Sequence, residues 1–322
     1  MRIRNLLEIC LLGTLFGPSF FFIKLGVAEL SPFTLVAARV ALATAFLWAL
    51  LKIRGQRFPR SLKTWWHISV AGFFSAGLPF SLFAVGELRV SSALAGVING
   101  FTPIATALMA HFMFSDERLT LSRTTGVLLG MGGFSLLLFP QIAASGLQGD
   151  ATGILLLGIA AISYAIAMVY SRKTIRDLPP LVAPTGGLFV ACFYLIPLAF
   201  FTNSVFETAP LTYKGLVAIA ELGIVGTALA FILYYRILRT SGATTLAMSN
   251  YLLPLFSTLL GVLILRESMH WTAYLAGVLI ILGMMFVNGT LKIPSAQKET
   301  AHDQEAAPAP VPIDSDPDRP TD

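Results

Sequence analysis

The chain has 322 residues; 56% are hydrophobic, only 12% are charged, and the formal net charge is +5. Soluble domains carry roughly 25% charged residues, so a soluble fold of this size could not cover so much apolar surface, whereas a membrane protein need not. The basic excess does not point to nucleic acid, because no aromatic–basic stripe or zinc-ligand spacing accompanies it.

Ten apolar runs of about 20 residues, the length at which a helix crosses a bilayer, occupy approximately 6–27, 33–51, 65–86, 91–114, 122–139, 151–170, 180–201, 215–235, 242–265 and 271–289. They are numbered spans 1 to 10 below. The first follows Arg2 and Arg4 and resembles a signal peptide, with Gly26-Val27-Ala28 as a small-x-small site. It is long for a signal core and has a counterpart in the second half, so it reads as span 1. Cys10 and Cys192 both lie inside spans and read as small apolar residues, with neither a disulfide nor a metal site.

The basic residues orient the spans. With the N-terminus placed in the cytoplasm, 17 Lys and Arg fall on the inner side and three (Arg89, Lys214 and Arg266) on the outer; Lys24 and Arg39 lie within spans. That bias follows the positive-inside rule and puts both termini in the cytoplasm, with the chain a multi-pass protein of the inner membrane. After span 10 the composition changes. Residues 295–322 are rich in Pro, Ala and Asp, hold seven of the 17 acidic residues, and read as a disordered cytoplasmic tail.

The chain also repeats itself. Asn99-Gly100-Phe101-Thr102-Pro103 returns as Asn250-Tyr251-Leu252-Leu253-Pro254, 151 residues later. Gly126-Val127-Leu128 and Gly132 return as Gly277-Val278-Leu279 and Gly283 at the same offset. Each unit holds five spans, an odd number, so the second copy crosses in the opposite sense. Inverted repeats are the architecture of secondary transporters, whose halves rock to open either face. The reading is an all-α polytopic membrane protein of ten transmembrane helices, in two inverted five-helix repeats at 6–139 and 151–289.

These residues carry a resemblance. Leu12-Gly13-Thr14-Leu15-Phe16-Gly17-Pro18-Ser19 with Lys24, Pro32 with Arg39, the run from Ser91 through Pro103 followed by Asp116-Glu117-Arg118 and Gly126, and the stretch from Gly242 to Gly283 are similar to EamA-type carriers of the drug/metabolite transporter superfamily. Phe16 stands where a Trp often precedes the glycine of the first helix. The resemblance covers about residues 6–290. It implies alternating access and export of amino acids or other small metabolites, drugs among them. The second repeat lacks a charged equivalent of Lys24 and Arg39.

Charges within spans are costly and are functional candidates. Arg39 and Glu221 each lie six residues into spans that start outside, roughly 9 Å deep at 1.5 Å per residue, and Lys24 is a little shallower. Two readings stand. One is a structural ion pair with a snorkelling Lys; the other is a site for an anionic or zwitterionic solute, with Glu221 as a candidate proton carrier. Asn99 and Asn250 precede a proline by four residues; each either bonds a freed carbonyl or lines a central cavity. Tyr164 either packs or offers its phenol to that cavity. His111 reads as interfacial, Trp65, Trp66 and Trp271 as interface anchors, and Gly126 with Gly130 as a packing face within the chain or in a dimer.

No catalytic signature such as His-Glu-x-x-His, Gly-x-Ser-x-Gly or a phosphate-binding loop is present, and no metal or cofactor is expected. The partners expected are a small-molecule substrate, protons and membrane lipids, with no nucleic acid, in a monomer or homodimer. The competing class is an integral-membrane enzyme acting on lipid-linked substrates. It calls for acids or His in a long loop, but the long loop Lys52 to Thr64 is basic and has neither.

Overall fold

A lipid-facing backbone must bond to itself, and the chain answers with helices throughout. The computed structural model describes residues 2–90, 95, 98–145, 151–202, 212–253, 271–287 and 289–293; among them no β-strand occurs. Every expected span contains helix among its described residues. Six stretches are long and apolar enough to cross a membrane: Ile3–Val27, Pro32–Ile53, Leu62–Gly86, Ala151–Thr174, Val182–Phe201 and Tyr213–Ser241. Span 4 is described from Ala95, with its main helix at Thr102–Met113; span 9 is described from Ala243 to Leu253, and span 10 as Trp271–Val287. Met1–Lys292 form one compact unit, and Ile293–Asp322 are grouped apart. The expected tail, 295–322, lies outside the described residues, as do Ser91 to Ala93, Pro254 and Arg266.

Local sequence sets several ends. Ser31 caps span 2, its hydroxyl accepting from the Thr34 N–H at 3.3 Å, and Pro32 opens the helix where its missing N–H costs nothing. Span 5 runs Leu121–Ser145, past the expected end at 139. Pro140 lies within this helix; a proline is tolerated where a helix lies in lipid and neighbours re-satisfy its backbone.

The packing shows how the halves are related. Span 5 packs against span 10 and span 2 against span 7. Span 3 packs on spans 6 and 7, and span 8 on spans 1 and 2. Spans 4 and 6 pair, as do spans 9 and 1. Replacing each span by its equivalent five places away turns this set of neighbours into itself, which is the signature of a two-fold relation. The glycine contacts give its direction. A Cβ built at Gly126 would lie 2.6 Å from the Gly283 carbonyl oxygen, and one at Gly133 would lie 2.7 Å from that of Ala276. As one number rises the other falls, so spans 5 and 10 run antiparallel. A two-fold that exchanges antiparallel neighbours lies across the helices, as inverted repeats require. The Gly126–Gly130 face thus packs within the chain.

Helix irregularities recur in register as well. Span 3 contains a π-helical segment at Phe73–Gly77, and span 8 one at Glu221–Leu229. Adding the repeat offset of 151 to 73–77 gives 224–228, inside the second segment. Span 4 turns at Gly100 and Phe101, and span 9 passes through a 3-10 turn at Met248–Tyr251. These breaks fall at Asn99 and Asn250. Single-turn π segments and 3-10 stretches inside longer helices commonly mark functional positions.

Candidate functional site

The breaks in spans 3, 4 and 9 border one cavity of about 70 Å³, lined among others by Phe16, Ser19, Arg39, Ser75, Phe80, Phe83, Asn99, Tyr164, Phe231, Tyr234 and Asn250. That is room for a few waters, so a larger solute requires the helices to part. The lining is built in repeat-related pairs. Phe80 and Phe231, Phe83 and Tyr234, and Asn99 and Asn250 each differ by 151 residues. Phe80 and Phe231 also touch each other, with ring centroids 6.2 Å apart. The cavity therefore straddles the approximate two-fold.

Four of the six candidate residues line this cavity: Arg39, Asn99, Asn250 and Tyr164. Arg39 breaks the symmetry. It is 5% exposed. Its Nε donates to Thr227 Oγ1 at 2.7 Å, its second terminal nitrogen donates to the Gly226 carbonyl at 3.1 Å, and its guanidinium lies 3.9 Å from the Phe80 ring centroid. Both acceptors belong to the π segment of span 8, where backbone carbonyls leave the regular α ladder. Ser163 does the same for span 3, donating to the Phe74 carbonyl at 2.8 Å.

Glu221 opens the span 8 π segment. Span 2 and span 8 meet near its depth, since Leu42 is against Gly223, and a Glu221 carboxylate oxygen would lie 3.8 Å from a Cβ at Gly226, whose carbonyl Arg39 holds. Among the described residues, however, no ion pair joins Glu221 to Arg39, and neither Glu221 carboxylate oxygen has a hydrogen-bond partner. The simple structural ion pair is therefore not the arrangement found; Arg39 is held by a hydroxyl and a carbonyl instead. Lys24 lies in the helix Ser19–Val27, but its side chain is outside the described residues. Asn99 Oδ1 accepts from Thr102 Oγ1 at 3.3 Å.

Four cavity groups are buried without a hydrogen-bond partner among the described residues: Ser19 Oγ, Ser75 Oγ, the Tyr234 hydroxyl and Asn250 Nδ2. Buried polar groups are ordinarily satisfied, so orphans that converge on one cavity mark it as a place where water or a solute supplies the missing bonds. Thr227, Ser19, Tyr234 and the Phe80/Phe231 pair were not singled out from the sequence. For Tyr234 and the Phe80/Phe231 pair the signal was available in the 151-residue register, which continues from spans 4 and 5 back into span 3; Thr227 falls opposite Ala76 and Ser19 opposite Tyr170, and the register does not mark them.

A two-fold cavity between inverted helical repeats is a transporter design, and the family model described as "EamA-like transporter family" matches residues 5–139 and again 151–289. The chain belongs to the EamA-like transporter family. It is a multi-pass membrane transporter and not an enzyme. A WAT1-related chloroplastic protein of Arabidopsis thaliana is 26% identical over 264 residues, which are 80% of this chain and 63% of that one. The uncharacterized inner membrane transporter YedA of Escherichia coli is 25% identical over 92% of this chain and 95% of its own length. An uncharacterized transporter of Archaeoglobus fulgidus is 24% identical over 85% of this chain and 95% of its own length. A solved crystal structure, 22% identical, shares the fold with a TM-score of 0.73, covering 89% of this chain and 96% of that one.

The remaining expectations sort into packing roles. His111 Nδ1 accepts the Leu119 N–H at 3.0 Å and fastens the turn between spans 4 and 5 of this EamA-like chain. Trp65 donates its indole N–H to the Pro59 carbonyl at 3.0 Å, and Trp66 and Trp271 are exposed at helix ends. Cys10 and Cys192 are free thiols.

Proposed function

We propose that this EamA-family chain is a secondary carrier that exports small carboxylate-bearing metabolites, amino acids or related compounds, across the inner membrane by alternating access, with both termini in the cytoplasm. The observation that carries this reading is the cavity on the two-fold, where Arg39 and four unpartnered polar groups face an aromatic lining. A guanidinium has five N–H donors. Two are engaged by Thr227 and Gly226, which leaves others for a carboxylate, and charge-assisted pairs of this kind are among the stronger hydrogen bonds. Phe16, Phe80, Phe83 and Phe231 offer rings to an apolar body. Asn250, Tyr234 and Ser19 supply polar contacts that fix its orientation. A solute bound on the axis touches both repeats, so rocking one against the other exposes it to either face. Glu221 is the coupling group in this reading: its carboxylate sits near the Arg39 layer, can carry a proton at membrane depth, and depends on the same π segment that Arg39 holds. Drug-sized solutes are a less close fit, because the cavity must open further to admit them.

The test is uptake into proteoliposomes of purified full-length protein, screened with amino acids and cationic drugs, with and without a proton gradient. Uptake of carboxylate-bearing solutes that is driven by the gradient and lost in Arg39→Gln supports the reading. Uptake of cationic drugs alone, indifferent to Arg39, contradicts it.

A further inference from the structure

A second polar cluster lies away from the cavity, where the loops after spans 4, 6 and 8 meet. Glu117, between spans 4 and 5, is 3% exposed. Its two carboxylate oxygens accept the backbone N–H groups of Ala243 and Thr244, each at 2.7 Å, which open span 9. Arg172, at the end of span 6 and 5% exposed, pairs with both Glu117 and Asp116 and stacks 4.5 Å from the Phe114 ring centroid. The chain makes room for this at Gly242, where φ is +91° and an added Cβ would strike the Glu117 carboxylate.

Every bond in the cluster runs between the repeats. Asp116 and Glu117 belong to the first; Arg172 and residues 243–244 belong to the second. The cluster is also connected to the cavity through span 9. Asn250 lies seven residues past Ala243, about 10 Å along the helix, so fixing the start of span 9 fixes where Asn250 and Leu253 meet the solute. At the opposite face the first repeat also reaches across: Glu29 accepts from the Thr212 hydroxyl and the Gly215 N–H at the start of span 8. That carboxylate is half-buried, so water replaces its bonds at little cost. Glu117 and Arg172 have no such recourse, because separating a buried pair strands charge.

We infer that Glu117, with Arg172, is the latch that closes the face bearing the loops after spans 4, 6 and 8, and that this face opens only when the first repeat releases the start of span 9. Glu117 and Arg172 act on the solute through the position of span 9, and neither lines the cavity. The inference rests on the alternating-access reading and can fail separately from it.

The test uses full-length protein in proteoliposomes, in a Cys10→Ala, Cys192→Ala background with Ser75→Cys as cavity reporter. A membrane-impermeant maleimide is applied from the Glu117 face. Glu117→Gln should raise the labelling rate on the order of tenfold, since breaking a buried pair shifts an equilibrium by at least that much, and Glu117→Asp should lie between the two. A Glu117→Gln rate equal to the parent's overturns the latch. Should Glu117→Gln fail to fold, the parent decides: nitroxides at Arg118→Cys and Arg239→Cys, both exposed and flanking the cluster, should give a short and a long distance population. A single population overturns the latch. If that single population accompanies Ser75→Cys labelling from both faces, the carrier reading stands and only the latch falls.

Discussion

The contact between spans 5 and 10 permits a sharp comparison of two glycines on one helix. At Gly126 an added Cβ would lie 2.6 Å from the Gly283 carbonyl oxygen, 2.8 Å from Val287 Cγ2 and 2.9 Å from Phe286 Cβ. The first of these is backbone of the partner helix and cannot rotate away, so the helices must separate by most of an ångström. At Gly132 an added Cβ meets nothing within 4 Å. Ala favours helix over Gly by about 1 kcal/mol at either site. Overpacking a tight contact costs about 1–3 kcal/mol, and a small-residue crossing is the source of close helix association in lipid. Gly132→Ala should therefore be neutral or up to about 1 kcal/mol stabilising, and Gly126→Ala up to about 2 kcal/mol destabilising. In detergent, followed by fluorescence-detected size exclusion after heating, the two should differ by several degrees in apparent Tm, Gly126→Ala lower. If Gly126→Ala melts with or above Gly132→Ala, spans 5 and 10 do not cross at Gly126–Gly283 and the two-fold argument loses its anchor.

Other outcomes follow from the site. Thr227→Val keeps the shape but leaves Arg39 Nε without its acceptor, so it should cost about 1–3 kcal/mol, and its effect in the Arg39→Gln background should be much smaller, a non-additivity read from a four-variant cycle of apparent Tm. Asn250→Leu removes a buried amide nitrogen with no hydrogen-bond partner among the described residues, so folding should hold or improve while solute uptake falls; loss of folded protein would show Asn250 to be structural. A cytoplasm-specific reporter fused after Arg60 or Arg176 should be active and one fused near Gln148 or Thr208 silent; the reverse pattern would invert the orientation.

The spans, the repeat and the two asparagines were legible because a run of apolar residues and a fixed offset are one-dimensional signals. Arg39 was legible for the same reason: a charge in an apolar run needs no structure to be noticed. Its partner was not. The sequence placed Arg39 and Glu221 at equal depth, yet depth does not fix which way a side chain reaches, and Arg39 reaches a carbonyl and hydroxyl freed by a π segment. That segment has no compositional mark: Glu221–Leu229 is as apolar as its surroundings, and π geometry appears only when the packing of spans 2 and 8 is known. Asp116-Glu117-Arg118 was visible as a motif, but the bond from Glu117 to Ala243 spans 126 residues, and a contact at that separation leaves no local trace.

The central claim is that one cavity, on the two-fold between the repeats, is open to each side of the membrane in turn. The most direct measurement places a single reporter, Ser75→Cys, in a cysteine-free background and applies an impermeant maleimide separately to the two faces of oriented vesicles. The account predicts labelling from both faces, slowed from both by a bound carboxylate-bearing solute. Labelling confined to one face, with or without solute, would contradict it.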